Sequence, residues 1–436
     1  MFFKILKDAL KVKNVRKKIL YTIFIIFVFR IGTHITVPGV NAKNLEQIKD
    51  LPFLNMLSLV SGNALTNFSV FAMGVSPYIT ASIIVQLLQM DLVPRFVEWG
   101  KQGEVGRRKL NQATRYISLF IALFQSIGIV SLFNALSSVS IVKTPNIQTY
   151  FVIGCILTAG SVIVTWLGEQ ITDKGFGNGV SMIIFSGIIS SLPATIKNFY
   201  EDFFVNVKGS QAGQYALYAV LIILAVLAII FFTTFVQQAE YKIPIQYTKR
   251  AQGAPTNSYL PLKVNPAGVI PVIFASSLTA LPSTIIPLVE NWLGNSPAWL
   301  TTVQSAFDYT TPIGMVVYAV LIVLFSFFYT FVQVNPEKTA ENLQKSSAYI
   351  PSVRPGRETQ EFMSMLLKRL ATVGSVFLAF VSLTPILAQS ILGSSSEFAL
   401  GGTSLLILIS TGIESMKQLE GYLLKRKYVG FINTAK

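Results

Sequence analysis

The side chains able to do covalent or metal chemistry are few. The chain has one histidine, His34, and one cysteine, Cys155. A cysteine-built zinc or iron–sulfur site, a multi-histidine metal centre and a disulfide within the chain each need more than one such residue, so all are excluded. The acids that could act as a general acid and base stand at the ends of apolar stretches, Glu169 and Asp173 closing one, Glu414 and Glu420 another. Arg30 and His34 fall within the first apolar stretch, where Arg30 is expected to pair or snorkel and His34 to be a hydrogen-bonded structural residue. Asp173-Lys174-Gly175-Phe176-Gly177-Asn178-Gly179 has the look of a glycine-rich phosphate loop, yet no strand precedes it and no GxxxxGK[ST] run occurs. It is expected to be a tight cytoplasmic turn with left-handed glycines. Ion-coupled transport and intramembrane catalysis both need convergent polar groups at membrane depth, and neither is favoured. No metal site and no cofactor are expected.

The elements that would position any function are set by composition. Of 436 residues, 52% are apolar and 13% charged, about half the charged share of a soluble protein. A bilayer core takes about 20 apolar residues per helix. Ten stretches fit, near 19–37, 72–90, 116–136, 150–168, 180–196, 215–236, 267–286, 312–333, 366–388 and 402–420. Residues 1–18 carry Lys4, Lys7, Lys11, Lys13, Arg16, Lys17 and Lys18, too basic and too long for a simple cleaved signal, and are expected to form a cytoplasmic amphipathic segment. With that end inside, the great majority of the 35 Lys and Arg residues fall in inner segments, the asymmetry of an inserted multi-pass protein with both termini cytoplasmic. The net charge of +15 then needs no nucleic acid to explain it. The expected order is an N-terminal half at 19–196, an external linker at 197–214, a C-terminal half at 215–420 and a cytoplasmic tail at 421–436.

Spans two and seven share a pattern. Gly74-Val75-Ser76-Pro77-Tyr78-Ile79-Thr80-Ala81-Ser82 aligns with Gly268-Val269-Ile270-Pro271-Val272-Ile273-Phe274-Ala275-Ser276 as G-V-x-P-x-I-x-A-S. The segments occupy equivalent places in two five-helix halves and run in opposite directions, as in inverted-repeat transport proteins whose Gly/Pro-broken helices line the path. Gly and Pro are also common in membrane helices generally. The run from Leu57 to Thr66, before span two, is too short to cross and rich in small residues; it fits a short re-entrant helix or a surface helix. Two long inner loops, about 237–266 and 334–365, stand out. The first alternates apolar and polar residues as a β-hairpin would, and the second holds Arg354-Pro355-Gly356, a stiff turn presenting a guanidinium. Two basic, turn-shaped loops facing one compartment suit a docking surface for a large partner.

The ordered series Phe29-Arg30-Ile31-Gly32, Pro77-Tyr78-Ile79-Thr80-Ala81-Ser82-Ile83-Ile84, Gly106-Arg107-Arg108-Lys109, Trp166-Leu167-Gly168-Glu169-Gln170-Ile171-Thr172, Gly177-Asn178-Gly179, Pro261-Leu262-Lys263-Val264-Asn265, Arg354-Pro355-Gly356 and Gly401-Gly402-Thr403-Ser404-Leu405-Leu406-Ile407 carries a resemblance. From first span to last the chain resembles the SecY family, the central subunit of the bacterial protein-conducting channel. The resemblance implies an all-α integral membrane protein, with ten transmembrane helices in two inverted five-helix halves. These close as a clamshell around a central pore, with a short re-entrant plug helix at 57–66. It places a pore ring at Val75, Ile79, Val180, Ile184, Ile273 and Ile407. The plug would include Leu57, Ser61, Gly62, Asn63, Ala64 and Leu65. A lateral gate, between spans two and three and spans seven and eight, would have Gln86, Gln125, Ser276 and Ser277 near its seam. Lys249, Arg250 and Arg354, with Arg357 in support, would meet a SecA motor ATPase or a ribosome. The chain departs from the family pattern at Asn63, where a second glycine is common, at Tyr241, where a basic residue is frequent, and at Val75 and Val180, where isoleucine is usual.

The resemblance further implies a passive gated channel in the plasma membrane, without enzymatic activity. SecE and SecG small subunits are the expected partners, unfolded precursors with signal sequences the expected cargo, and membrane lipid the medium entered sideways. The competing class is an inverted-repeat secondary transporter of a small solute, which substrate-specific, saturable uptake would favour. An intramembrane enzyme is remote.

Overall fold

The computed structural model describes residues 2–40, 64–89, 93–136, 142, 146–205, 212–247, 258–293, 297–308, 311–392 and 402–433. The protein is mostly helical and packs as two compact units. One comprises Met1–Glu201, Ser277–Asp308 and Ser396–Lys436, the other Asp202–Ser276 and Tyr309–Ser395. Among the described residues six helices are long and apolar enough to cross a membrane, beginning at Gly103, Gln148, Gly179, Ala216, Pro312 and Arg357. Helices also stand at the other four expected spans, so the chain is a multi-pass membrane protein.

In the first unit, α1 (Phe2–Lys11) and α2 (Lys13–Gly32) form an elbow. They are followed by α3 (Ser76–Leu88), α4 (Pro94–Lys101), α5 (Gly103–Leu136), α6 (Ile147–Lys174) and α7 (Gly179–Tyr200). The first span was expected at 19–37; its helix starts six residues earlier, at Lys13, and stops at Gly32. Gly32 lies against the Phe71 ring, which any side chain there would overlap, and the Thr33 hydroxyl donates to the Arg30 carbonyl at 2.7 Å. Beyond it the chain runs extended beside 68–70, the Val37 N–H donating to the Phe68 carbonyl and the Val70 N–H to that of Ile35. Leu65, Phe68, Ala72 and Met73 are buried in a cluster with Ile129, Val130 and Phe133 of α5 and Ile153 and Leu157 of α6. Small residues let α5 and α6 approach closely, Ser126 and Thr158 meeting hydroxyl to hydroxyl at 3.2 Å, while Gly160 of α6 faces the Val70 carbonyl of the segment before α3.

The second unit contains α8 (Ala212–Gln238), apolar on all sides and largely exposed, as a lipid-facing helix must be. Strand β1 (Glu240–Tyr247) leaves α8 almost at once and pairs antiparallel with β2 (Ser258–Lys263). The hairpin alternation is realised: Ile243 and Ile245 turn inward while Lys242, Pro244 and Gln246 face out. After α9 (Ile270–Leu293), whose course crosses from the second unit into the first, come α10 (Ala298–Phe307), α11 (Pro312–Gln333) and α12 (Pro336–Lys345). Two-residue β3 (Ala348–Tyr349) adds to the other edge of β1, giving the sheet order β2-β1-β3. Then come α13 (Arg357–Leu392) and, in the first unit, α14 (Gly402–Asn433). Ile243, Ile245, Leu262, Ile350, Met363 and Leu370 form one buried cluster, so the sheet and the start of α13 make a small solid body.

The Gly160 contact yields a stability prediction. Gly160→Val should force α6 away from the Val70 backbone, costing about 1–3 kcal/mol as an overpacked core does. Thermal unfolding of the purified protein in detergent reads this as a lower midpoint. An unchanged midpoint would remove the close contact from the account.

Candidate functional site

The two repeat segments have the same backbone. Gly74 and Gly268 are both left-handed, with φ of 53° and 64°. Their N–H groups donate three residues back, to Phe71 and Asn265. A helix starts two residues after each glycine, α3 at Ser76 and α9 at Ile270, so Pro77 and Pro271 both occupy the second helical position, where no N–H is missed. In both, the shared isoleucine of the motif closes the opening turn, Ile79 N–H to the Val75 carbonyl and Ile273 N–H to that of Val269. Val75, Ile79 and Ile273 are therefore delivered by one device used twice, and all three are buried. The Val75 turn is held from outside by Ser161 of α6, whose hydroxyl donates to the Gly74 carbonyl at 3.0 Å.

Val180 and Ile184 sit in the first turns of α7. Asn178 caps that helix, its Oδ1 accepting from the N–H groups of Val180 and Ser181 at 3.1 and 3.4 Å. The preceding turn was expected to have left-handed glycines; of its three, Gly177 alone is left-handed, at φ 82°. Gly175 and Gly179 are glycines for room instead, since a Cβ would strike the Thr22 hydroxyl at the first and the Gly168 carbonyl at the second. Ile407 is buried on α14, which packs on α7. The two are tied at that turn by the Gly177 N–H donating to Gln418 Oε1 at 2.8 Å. Val75, Ile79, Val180, Ile184 and Ile407 thus belong to the first unit and Ile273 to the second.

Gln86 and Gln125 lie on α3 and α5, which pack together. Gln86 donates to Ser82 Oγ at 3.1 Å. The Oε1 atoms of both glutamines are buried without a hydrogen-bond donor among the described residues. Such an acceptor costs about 1–3 kcal/mol relative to a paired one, so this pair of side chains is poised to accept bonds. Ser276 donates to the Ile273 carbonyl and Ser277 is buried, the division between the units falling between them. Of the plug candidates, Ala64 and Leu65 are buried in a turn; Leu57, Ser61, Gly62 and Asn63 lie outside the described residues, as do Lys249 and Arg250.

The second loop is stiff for visible reasons. Ser347, Ser352 and Gly356 all have positive φ, 54°, 67° and 99°, and the Thr359 hydroxyl donates to the Arg354 carbonyl at 2.8 Å. The Arg354 side chain is 87% exposed, 3.8 Å from Glu358, and Arg357 is 90% exposed, 3.2 Å from Glu361. Exposed pairs of this kind hold their partners weakly, so both guanidiniums face solvent almost free to exchange partners. One site was not anticipated from sequence. Arg115 of α5 makes a two-pronged ion pair with Glu169 of α6, at 2.9 and 2.6 Å. The residues are too far apart in the chain for spacing to signal it. His34, by contrast, is an exposed turn residue just beyond α2, its backbone N–H bonded to the Ile31 carbonyl.

The SecY family model matches residues 69–416. A protein translocase subunit SecY of Streptococcus gordonii is 69% identical over 434 residues, covering 100% of this chain and 99% of that one. Among solved structures, a SecY whose plug domain is described as stabilising the closed channel superposes with a TM-score of 0.63 at 16% identity, over 93% of this chain and 91% of that chain. Sec61 from a canine ribosome–channel complex of the endoplasmic reticulum gives 0.59 at 15% identity, with 93% and 91% covered. Those two likenesses carry the fold. The match in sequence along essentially the whole chain carries the family: the protein belongs to the SecY family.

Proposed function

We propose that the chain is the pore-forming subunit of a protein translocase of the plasma membrane, with both termini cytoplasmic, passing unfolded, signal-sequence-bearing precursors and releasing apolar segments sideways into lipid. The observation that carries this reading is the full-length identity to translocase SecY subunits, and the twice-used glycine–proline helix start supports it. In this reading Val75, Ile79, Val180, Ile184, Ile273 and Ile407 form a collar. Branched aliphatic side chains exclude water and ions by dewetting, yet make no directional bonds, so they can yield around a moving polypeptide. The plug is assigned to 57–66. The gate seam is assigned to Gln86, Gln125, Ser276 and Ser277, whose polar contacts are worth about 0.6–2 kcal/mol each in a membrane, weak enough to open.

The channel is passive in this reading, so directional work comes from partners: a SecA motor, or a ribosome such as the one that canine Sec61 accompanies. SecE and SecG small subunits complete it. Arg354, Arg357, Lys249 and Arg250 are assigned to docking. The stiff turn and exposed guanidinium of Arg354 suit bidentate recognition of a carboxylate or phosphate.

The direct test is reconstitution with the small subunits in liposomes, followed by SecA, ATP and a secretory precursor. Protease protection of the precursor that needs both ATP and a working signal sequence is expected; specific, saturable uptake of a small solute without such protection would replace the reading with a transporter. Ile79→Ser together with Ile273→Ser should raise resting ion conductance in planar bilayers at least several-fold, and an intact seal would count against the collar. Arg354→Glu should abolish motor-driven protection while leaving the protein inserted, whereas normal export by that variant would refute its docking role.

A further inference from the structure

Helix α10 (Ala298–Phe307) joins two apolar helices, α9 and α11, through the links 294–297 and 308–311. A link of that length reaches at most about 18 Å fully extended, so α10 is confined near the membrane surface where both flanking helices end. The stretch 291–307 has no Asp, Glu, Lys or Arg at all. Within α10, Leu300 is 1% exposed and anchors the helix to the protein, while Trp299 is 62% and Val303 38% exposed. Trp299, Val303 and Ala306 are spaced i, i+4 and i+7 and so share one face; Gln304 and Ser305 are exposed on the other side. The flanking helices carry exposed apolar side chains of their own, Ile285 of α9, 44% exposed, and Ile313 and Val316 of α11, 64% and 63% exposed. Such side chains on spanning helices face lipid, and tryptophan concentrates where acyl chains meet headgroups.

We infer that α10 is an interfacial anchor, lying in the boundary between headgroups and acyl chains of the outer leaflet with Trp299 and Val303 in lipid and Gln304 and Ser305 in water. Its occupant is the lipid surface itself. Because the helix has no cationic face, attachment rests on apolar burial and the indole, not on attraction to anionic headgroups. The anchor holds the outer end of α9, the second repeat helix, at a fixed depth. This requires only that α9 and α11 cross the bilayer; it is independent of what the chain conducts, and the leaflet follows from the cytoplasmic N-terminus.

The test uses the full chain in vesicles, with Trp99, Trp166 and Trp292 replaced by Phe so that Trp299 alone fluoresces. Lipids brominated near the headgroup should quench Trp299 several-fold more than lipids brominated near the chain end. Aqueous iodide should quench little, and neither result should change when anionic lipid is omitted. Quenching by iodide without bromolipid quenching would place α10 in water and overturn the anchor. Quenching by neither would mean protein covers the face and would overturn it equally. A second measurement keeps all four tryptophans. In a Cys155→Ala background, Ser305→Cys should react with a water-soluble maleimide several-fold faster than Val303→Cys, since a thiol in apolar surroundings is rarely ionised. Equal rates would refute the proposed orientation.

Discussion

Inside a bilayer no water is available to satisfy a stray N–H or carbonyl, so every departure from helix must bring its own hydrogen-bond partners. The rest of this structure depends on how that demand is met around Val75. Between α2 and α3 the backbone is irregular in both described stretches, 33–40 and 64–75. It is nonetheless paired: Val37 with Phe68, Val70 with Ile35, Ser69 with Ala64, and the Gly74 carbonyl with the Ser161 hydroxyl. Phe68 even accepts a left-handed φ of 43° while fully buried, a strain of roughly 1 kcal/mol or more that the surrounding cluster must over-determine. That cluster, braced by α5 and α6, allows a helix as short as α3 to begin inside the protein.

The same demand explains why the repeat takes the form it does. A helix starting inside a protein needs a chain reversal, which left-handed glycine permits, and a first turn whose missing N–H does no harm, which proline tolerates. The two occurrences differ in their surroundings. Tyr78 follows Pro77, whereas the smaller Val272 follows Pro271, and α9 continues well beyond the length at which α3 ends. The backbone device is common to both; the side chains around it are free to specialise.

Outside the membrane the logic changes, because water can satisfy loops and stiffness has to be built. The second unit does this with a three-stranded sheet buried on one side against α13. It presents Arg354 from a turn fixed at Ser352, Gly356 and Thr359. A guanidinium on such a base loses little further freedom on meeting a partner, which favours affinity. The N-terminal elbow of the first unit is laced differently. The α1–α2 elbow packs on α14 through Ala9, Val15, Ile19 and Leu419, and Lys18 lies over the Tyr422 ring at 4.8 Å.

Much of this was legible in the chain itself. Apolar runs locate helices wherever a span was expected, since burial in lipid is a property of composition. The G-V-x-P-x-I-x-A-S repeat marks both helix starts, since glycine and proline act locally. The period-two alternation around Ile243 and Ile245 marks the sheet. Tertiary structure decided what depends on residues distant in sequence. The Arg115–Glu169 pair joins helices whose separation leaves no pattern, and position 32 is glycine because the Phe71 ring fills the space a side chain would need. Gly175 and Gly179 are small for the sake of Thr22 and Gly168, not of a turn. Short-range physics is written in neighbouring residues; close packing is written only where the folded chain brings distant ones together.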